Sequence, residues 1–321
     1  MNIIEFDRVS KIFQTVVAVS EITGTVTDGI VGFLGPNGAG KTTTIRLLTG
    51  DLRPSGGHVS LFDENPWNNV SLRRRVAYIP EPANLLEWMT PLKFVQKLTQ
   101  IGGIPRQEAR RAAEAALETL EAFEYRNRQI SALSKGMRQR VKIAAAISRP
   151  RELLIADEPL AGLDPLGREL VFDLFNKLWK EHQTSIFVSS HILFEIERFT
   201  KHIIMMFEGR IIAQGTTSQI RKLLTDFPFV YEVTCTSSRR LVYDLLHLGV
   251  IEAINYPQGL PTDDKQPTLI QLTTTQPEEF NDAILQLAEN PGYRISRFVN
   301  IEEQVATEKV FSYLINRRNI A

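Results

Sequence analysis

Cysteine is almost absent. Cys235 stands alone among 321 residues, which excludes an internal disulfide framework and a cysteine-built metal cluster. No uncharged apolar run reaches the roughly 18 to 20 residues needed to cross a bilayer. The opening MNIIEFDR has neither the basic start nor the apolar stretch of a secretory leader, so no signal peptide is expected. Net charge is missing too: Lys plus Arg is 37 and Asp plus Glu is 37, with pI near 7.0. That balance argues against a dedicated polyanion binder, nucleic acid included. What is present is ordinary. The hydrophobic share of 43% and charged share of 23% suit a soluble globular protein with a sizeable core. A chain of 321 residues exceeds the usual size of one domain, so two are expected. Any connection to a membrane would come through a partner.

Charge is balanced overall but not along the chain. Residues 226–321 hold 8 Lys plus Arg against 13 Asp plus Glu, whereas residues 1–225 hold 29 against 24. Texture changes at the same place, where FVYEVTCT begins a new alternating pattern behind Pro228. A boundary near Thr225 is expected, giving domains over 1–225 and 226–321.

In the first part, β segments are expected around Ile3–Phe6 and Val17–Val26. The glycine-bounded apolar run Ile30–Leu34 reads as a buried strand, followed by a helix from Lys41 to about Thr49. The stretch 82–149 reads as a helical lobe. Thr90-Pro91 is an N-cap and first-turn proline, with Val95, Leu98 and Ile101 on one face. Ala113, Leu117, Leu120 and Phe123 form the inner side of a second helix over 107–123. Strand-helix alternation then resumes. Leu153–Ala156 and Ser185–Ser190 read as strands around a helix capped by Asp164-Pro165, and a hairpin turns at Glu208-Gly209. The pattern predicts an α/β fold with a mostly parallel sheet and an inserted helical lobe.

The chemistry is concentrated in three segments. Gly35-Pro36-Asn37-Gly38-Ala39-Gly40-Lys41-Thr42-Thr43 matches G-x-x-x-x-G-K-[ST], directly after a strand and opening a helix. Its glycines let backbone N–H groups close around phosphate oxygens, and the helix N-terminus adds positive potential. Lys41 would reach the β- and γ-phosphates, and Thr42 would offer its hydroxyl to Mg²⁺. In Leu153-Leu154-Ile155-Ala156-Asp157-Glu158-Pro159, an apolar strand ends in two acids. Asp157 there can hold Mg²⁺ through water, and Glu158 can polarise the attacking water. In Leu133-Ser134-Lys135-Gly136-Met137, Ser134 is an N-cap and Gly136 leaves backbone open for a phosphate. Read alone, that stretch is equally a capped helix with a solvated basic face of Arg138, Arg140 and Lys142.

Together these segments resemble the ATPases of the ABC family, whose signature is usually Leu-Ser-Gly-Gly-Gln; here Lys135 and Met137 replace the second glycine and the glutamine. The resemblance covers about residues 1 to 225 and implies a P-loop NTPase fold of ABC type. It implies that Phe13 stacks on adenine and that His191 contacts the γ-phosphate. It also implies that Ala161–Asp164 lets two subunits communicate. Two copies would pair head to tail, with ATP between the Gly35–Thr43 loop of one and Ser134 and Gly136 of the other. The family's glutamine after the third strand is Glu81 here, a further candidate for Mg²⁺. The function implied is ATP-driven transport through a separate membrane permease, as an exporter, at the cytoplasmic face. A soluble ABC-type ATPase acting on nucleic acid or ribosomes is the alternative, and a P-loop metabolite kinase a second. Neither tandem modules nor a strong basic patch favours the first, and the 133–137 segment has no use in the second.

Residues 226–321 contain no catalytic constellation. Strands are expected at Phe229–Thr236, Val250–Tyr256, Leu269–Thr273 and Arg294–Val299. Helices are expected at Arg240–Leu248, Pro277–Ala288 and Glu302–Arg318. That β-α-β-β-α-β order predicts a small α+β domain of ferredoxin-like type, with Cys235 packed inside.

Overall fold

The computed structural model describes residues 2–81, 85–222, 229–261, 266–288 and 292–300. Alternation shapes the first elements. In β1 (Asn2–Phe13) and β2 (Val16–Thr27), Ile4, Phe6, Val9, Val19, Ile22 and Val26 are buried, and apart from Ile3, which is also buried, their neighbours are more exposed. The two strands pair antiparallel, and repeated register shifts let them run longer than the sequence predicts. After β3 (Ile30–Leu34) and α1 (Lys41–Leu48) comes β4 (Gly56–Leu61), which joins them in a three-stranded sheet of order β2-β1-β4. A short helix, α2 (Val70–Arg75), capped by Asn69, leads into β5 (Val76–Ile79).

The helical lobe follows with α3 (Pro91–Ile101), α4 (Arg106–Thr119) and α5 (Lys135–Ile147). Thr90 caps α3 by accepting from the Lys93 N–H, but the buried face differs from expectation. Leu92, Val95 and Thr99 point inward toward α4 and α5, whereas Leu98 and Ile101 are exposed. Thr99 can be buried because its hydroxyl engages the Val95 carbonyl at 2.8 Å and the Ser148 hydroxyl at 2.7 Å. Ala113, Leu117 and Leu120 are buried as expected. Phe123 is half-buried, with Arg126 stacked over its ring.

Next come β6 (Leu153–Asp157), α6 (Pro165–His182), β7 (Ser185–Ser190), α7 (Leu193–Phe199), β8 (His202–Phe207) and β9 (Arg210–Thr216). A six-stranded sheet of order β5-β6-β7-β3-β8-β9 forms, parallel except for β9. Strands β3, β6 and β7 in its interior are buried along their whole length, which explains the short apolar runs at their centres. Helix α7 lies so close to β3 that a Cβ on Gly32 would sit 2.1 Å from Ile196 Cγ2. Helix α1 packs against β2, β4 and β6, so one apolar core joins the two sheets. Parallel register then brings Leu34 beside Ser190, Ser189 beside Asp157, and Ile79 beside Ala156. The segments that follow β3, β5, β6 and β7 leave from the same edge.

The chain divides into two units, Met1–Thr217 and Ser218–Ala321; Thr225 lies outside the described residues. After α8 (Thr217–Lys222), the second unit has β10 (Phe229–Cys235), α9 (Ser238–His247), β11 (Ala253–Asn255), β12 (Thr268–Thr274), α10 (Pro277–Ala288) and β13 (Ile295–Asn300). Its antiparallel sheet has order β11-β12-β10-β13. The strand expected over Val250–Tyr256 shrinks to three residues at that sheet's edge, because Val250 and Ile251 turn into the core. Cys235 is fully buried among Tyr231, Val233, Leu241 and Ile270. The helix expected at Glu302–Arg318 lies outside the described residues.

Candidate functional site

The loop between β3 and α1 is built for close approach. Gly40, the N-cap of α1, has φ 102°, and a Cβ there would lie 2.5 Å from the Ala18 carbonyl oxygen and 2.8 Å from Met206 Cε. Only glycine fits. Gly35, Pro36 and Ala39 are buried while Asn37 and Gly38 face outward. The Gly209 N–H, in the β8–β9 turn, donates to the Ala39 carbonyl at 2.9 Å and braces the loop from behind.

Lys41 is buried at 7% exposure. Its Nζ donates to the Gly35 carbonyl at 2.6 Å and the Pro36 carbonyl at 3.2 Å, and lies 3.5 Å from Glu158 Oε1. The ammonium is thus folded back over its own loop. One residue on, Thr42 Oγ1 donates to Asp157 Oδ2 at 2.8 Å, and Thr43 is half-buried beside it in the chain.

Asp157 ends β6 with its side chain wholly buried. Besides Thr42 it accepts from Ser189 Oγ at 2.6 Å, and the Glu158 N–H donates to that same Ser189 oxygen at 3.1 Å. Glu158 turns away from the strand through a left-handed backbone (φ 48°), an uncommon conformation for a residue with a side chain. The turn presents its carboxylate to His191, whose Nδ1 lies within hydrogen-bond distance of both oxygens, at 3.0 Å. Burial pushes the Glu158 carboxyl above the ordinary glutamate range, opposed by His191 and Lys41. A carboxylate held among a cation, an imidazole and a buried Asp is placed to accept a proton from water.

A further network supports His191. Ser190 Oγ donates to buried Glu195 at 2.7 Å and accepts from the Ile192 N–H. Arg168, on α6, donates to the other Glu195 oxygen at 2.7 Å. Sequence reasoning missed Ser189 and Glu195, whose part depends on strand register and helix packing.

The other candidates lie apart from this cluster. Phe13 is partly exposed at the end of β1, with Lys11 Nζ 5.1 Å from its ring centroid. Ser134 caps α5 by accepting from the Met137 N–H, and the Lys135 methylenes lie against Gly162. The basic face suggested for α5 is not solvated as a whole, since Lys142 is 6% exposed. Glu81 is exposed, and among the described residues its hydrogen bond is made by the backbone carbonyl.

Comparison with known proteins gives the same reading. The family model described as ABC transporter matches residues 20–161. The bacitracin transport ATP-binding protein BcrA of Bacillus licheniformis is 35% identical over 223 residues, covering 69% of this chain and 72% of that protein. The chain belongs to the ABC transporter ATP-binding proteins. The daunorubicin/doxorubicin resistance ATP-binding protein DrrA of Streptomyces peucetius is 34% identical over 226 residues, 69% of this chain and 67% of DrrA. The chain spans 64% of the length of an uncharacterized Synechocystis relative that is 34% identical. Among solved structures, an ATP-binding subunit of an ABC transporter superposes with TM-score 0.63 at 29% identity, covering 68% of this chain and 92% of that one. A dimeric ATP-binding cassette in a post-hydrolysis state bound to ADP and Pi has the same fold. Its TM-score is 0.62 at 24% identity, over 66% of this chain and 98% of that one.

The family resemblance implies Mg²⁺ with the nucleotide, and the donors here fit that ion. Thr42 and Asp157 supply hard oxygens, and among the described residues the hydrogen bonds to the buried Asp157 carboxylate come from the Thr42 and Ser189 hydroxyls, with no ion pair formed. No group of three or more His, Cys, Asp or Glu is assembled among the described residues. Mg²⁺ suits that paucity, because it takes one or two protein ligands and fills its sphere with phosphate and water.

Proposed function

We propose that this chain is the ATP-binding and ATP-hydrolysing subunit that energises export across a membrane through a separate permease. The observation that carries the reading is the meeting of Lys41, Thr42, Asp157, Glu158 and His191 at the carboxyl edge of one parallel sheet. The chain is an ATPase. Backbone N–H groups of Gly35–Thr43 cradle the phosphates, and Lys41 exchanges the Gly35 and Pro36 carbonyls for phosphate oxygens. Thr42 and Asp157 would hold Mg²⁺, which would supply positive charge to offset that of the phosphates. Glu158 takes the proton of the attacking water, and His191 orients Glu158 and reaches the γ-phosphate. Phe13 stacks on adenine. Ser134 and Gly136 act on the nucleotide of a second copy, so the working unit is a head-to-tail dimer; the dimeric solved cassette supports this.

Residues 1–225 form the ATP-binding domain in this reading and 226–321 an accessory domain of ferredoxin-like type, supported by its βαββαβ order. Transport is supported by relatives named for bacitracin transport, daunorubicin/doxorubicin resistance and Nod factor export. Among the described residues no helix is long and apolar enough to cross a membrane. The protein purified from native membranes should bring down an integral membrane protein. Recovery without one under every nucleotide condition would favour a soluble ATPase instead.

Glu81 is read here as a group on the Mg²⁺ side of the site. Glu81→Gln should fold and bind nucleotide normally while shifting the Mg²⁺ dependence of hydrolysis. Superimposable Mg²⁺ titrations of the two proteins would leave Glu81 a solvent-facing residue.

The helical lobe is the docking surface for the permease in this reading. Of the apolar cluster after Glu81, Leu85 is buried and Met89 half-buried, but Trp88 is 74% and Leu86 46% exposed. A large exposed tryptophan is a strong interface anchor. Trp88→Ala should keep isolated ATPase activity within about twofold, because most of the side chain is in solvent, yet weaken membrane recruitment at least tenfold, equivalent to about 1.4 kcal/mol. Unchanged recruitment in fractionated cells would remove this patch from the docking surface.

A further inference from the structure

Helix α5 carries two buried polar side chains that the chemistry above does not use. Gln139 donates from Nε2 to the Pro159 carbonyl at 2.6 Å. Lys142 donates from Nζ to the Pro80 carbonyl at 2.7 Å and to the Glu81 carbonyl at 2.9 Å. Three residues apart, the two lie on one face of the helix. Pro159 directly follows Glu158 beyond β6, and Pro80 and Glu81 directly follow β5. One face of α5 therefore grips the chain just past both strands. Ser134 and Gly136 lie at the N-terminal end of that same helix.

An ammonium is a costly way to fill a buried position, and an apolar residue would be cheaper unless the donors are needed. Burial lowers Lys142 to about 8, opposed by the negative charges of Glu81 and Asp157. The donors also meet an unusual need. The pairing of β5 with β6 ends at Ile79, so among the described residues the carbonyls of Pro80 and Glu81 lie outside the ladder.

We propose that Lys142 is a positioning residue for Glu81. From α5 it fixes the backbone at 80–81, while Gln139 fixes the backbone beyond Glu158, so both carboxylates keep a set relation to Ser134 and Gly136. The proposal rests on Glu81 being a residue of the ATP site.

The test uses the full chain carrying Lys142→Met, which keeps the aliphatic stem and removes every donor. Lys142→Gln, a neutral donor able to serve one carbonyl, serves as a partial rescue and as a second variant should the first fold poorly. Hydrogen exchange without nucleotide is read in peptides covering 76–81 and 135–147, alongside kcat and KM for ATP. In Lys142→Met, exchange over 76–81 should quicken about tenfold with 135–147 unchanged. Turnover should fall about tenfold with KM within about twofold, as expected when a reacting group is misplaced rather than lost. Lys142→Gln should lie between wild type and Lys142→Met in both measurements. Faster exchange in both peptides together with a lower Tm would make Lys142 a packing residue and overturn the proposal. So would wild-type exchange over 76–81. Faster exchange over 76–81 with normal turnover would also overturn it. Should the Mg²⁺ titration of Glu81→Gln then also superimpose on that of the wild type, the fault lies in the reading of Glu81 and not in the hold that Lys142 has on the loop.

Discussion

Glu158→Gln should bind ATP normally and lose about 10² to 10³-fold in turnover. The amide keeps the size of the carboxylate and can still meet His191, which lies 3.0 Å from both oxygens. It cannot accept a proton from water. Asp157 is untouched, with Thr42 and Ser189 still donating to it, so the metal side of the site survives. Folding should not suffer. The wild-type carboxylate is desolvated enough to be raised above its ordinary range, and a neutral amide avoids that cost. The variant should therefore accumulate as an ATP-bound dimer that size-exclusion chromatography detects with MgATP and not with MgADP. Near-normal steady-state hydrolysis by the purified variant would remove Glu158 from the role of general base.

Lys41→Met should weaken ATP binding by at least about a hundredfold, because the charge-assisted contacts to the β- and γ-phosphates vanish together. The fold should stay intact for a reason visible in the site. Removing the ammonium leaves the Gly35 and Pro36 carbonyls without its donors, but both lie in the loop rather than in a strand or helix, and methionine keeps the apolar stem that fills the position. Glu158 would lose a cation 3.5 Å away but keep His191, and can take up a proton if the remaining compensation is too small. Titration calorimetry with ATP and thermal melting without it separate the two effects. Unchanged affinity would mean that the phosphates do not lie in the Gly35–Thr43 loop. A large fall in Tm without nucleotide would mean that Lys41 serves the fold as much as the ligand.

The two variants probe features that were legible to different degrees before any coordinates. The Gly35–Thr43 loop could be read from the chain alone because its chemistry is local. Glycines, lysine and hydroxyl must follow one another at fixed spacing between a strand and a helix, so the string itself encodes the geometry. The same holds for the helix caps at Thr90, Ser134 and Asp164, each of which accepts from an N–H three residues on. Asp157 and Glu158 were legible because an apolar strand ended in two acids.

What surrounds those acids was not legible. Ser189 braces Asp157 only because β6 and β7 are parallel neighbours in one particular register. Glu195 supports Ser190 because α7 folds back over the sheet, and Lys142 reaches Pro80 across 62 residues of sequence. A single chain carries no mark of such pairings; serine, glutamate and lysine are common, and their bland surface roles fit the string equally well. The inner face of α3 was misread for a related reason. Thr99 replaces the expected apolar contacts because a hydroxyl that finds Val95 and Ser148 can be buried without penalty, and only the placement of α4 and α5 decides which side of α3 is covered. Sequence by itself determined the alternating α/β architecture, the glycine-rich turn between β3 and α1 and the two acids at the end of β6, all of which follow from periodicity and short-range geometry. Tertiary structure alone decided which polar groups hold those acids in place, because a buried hydrogen bond belongs to two segments whose meeting is set by the packing of everything between them.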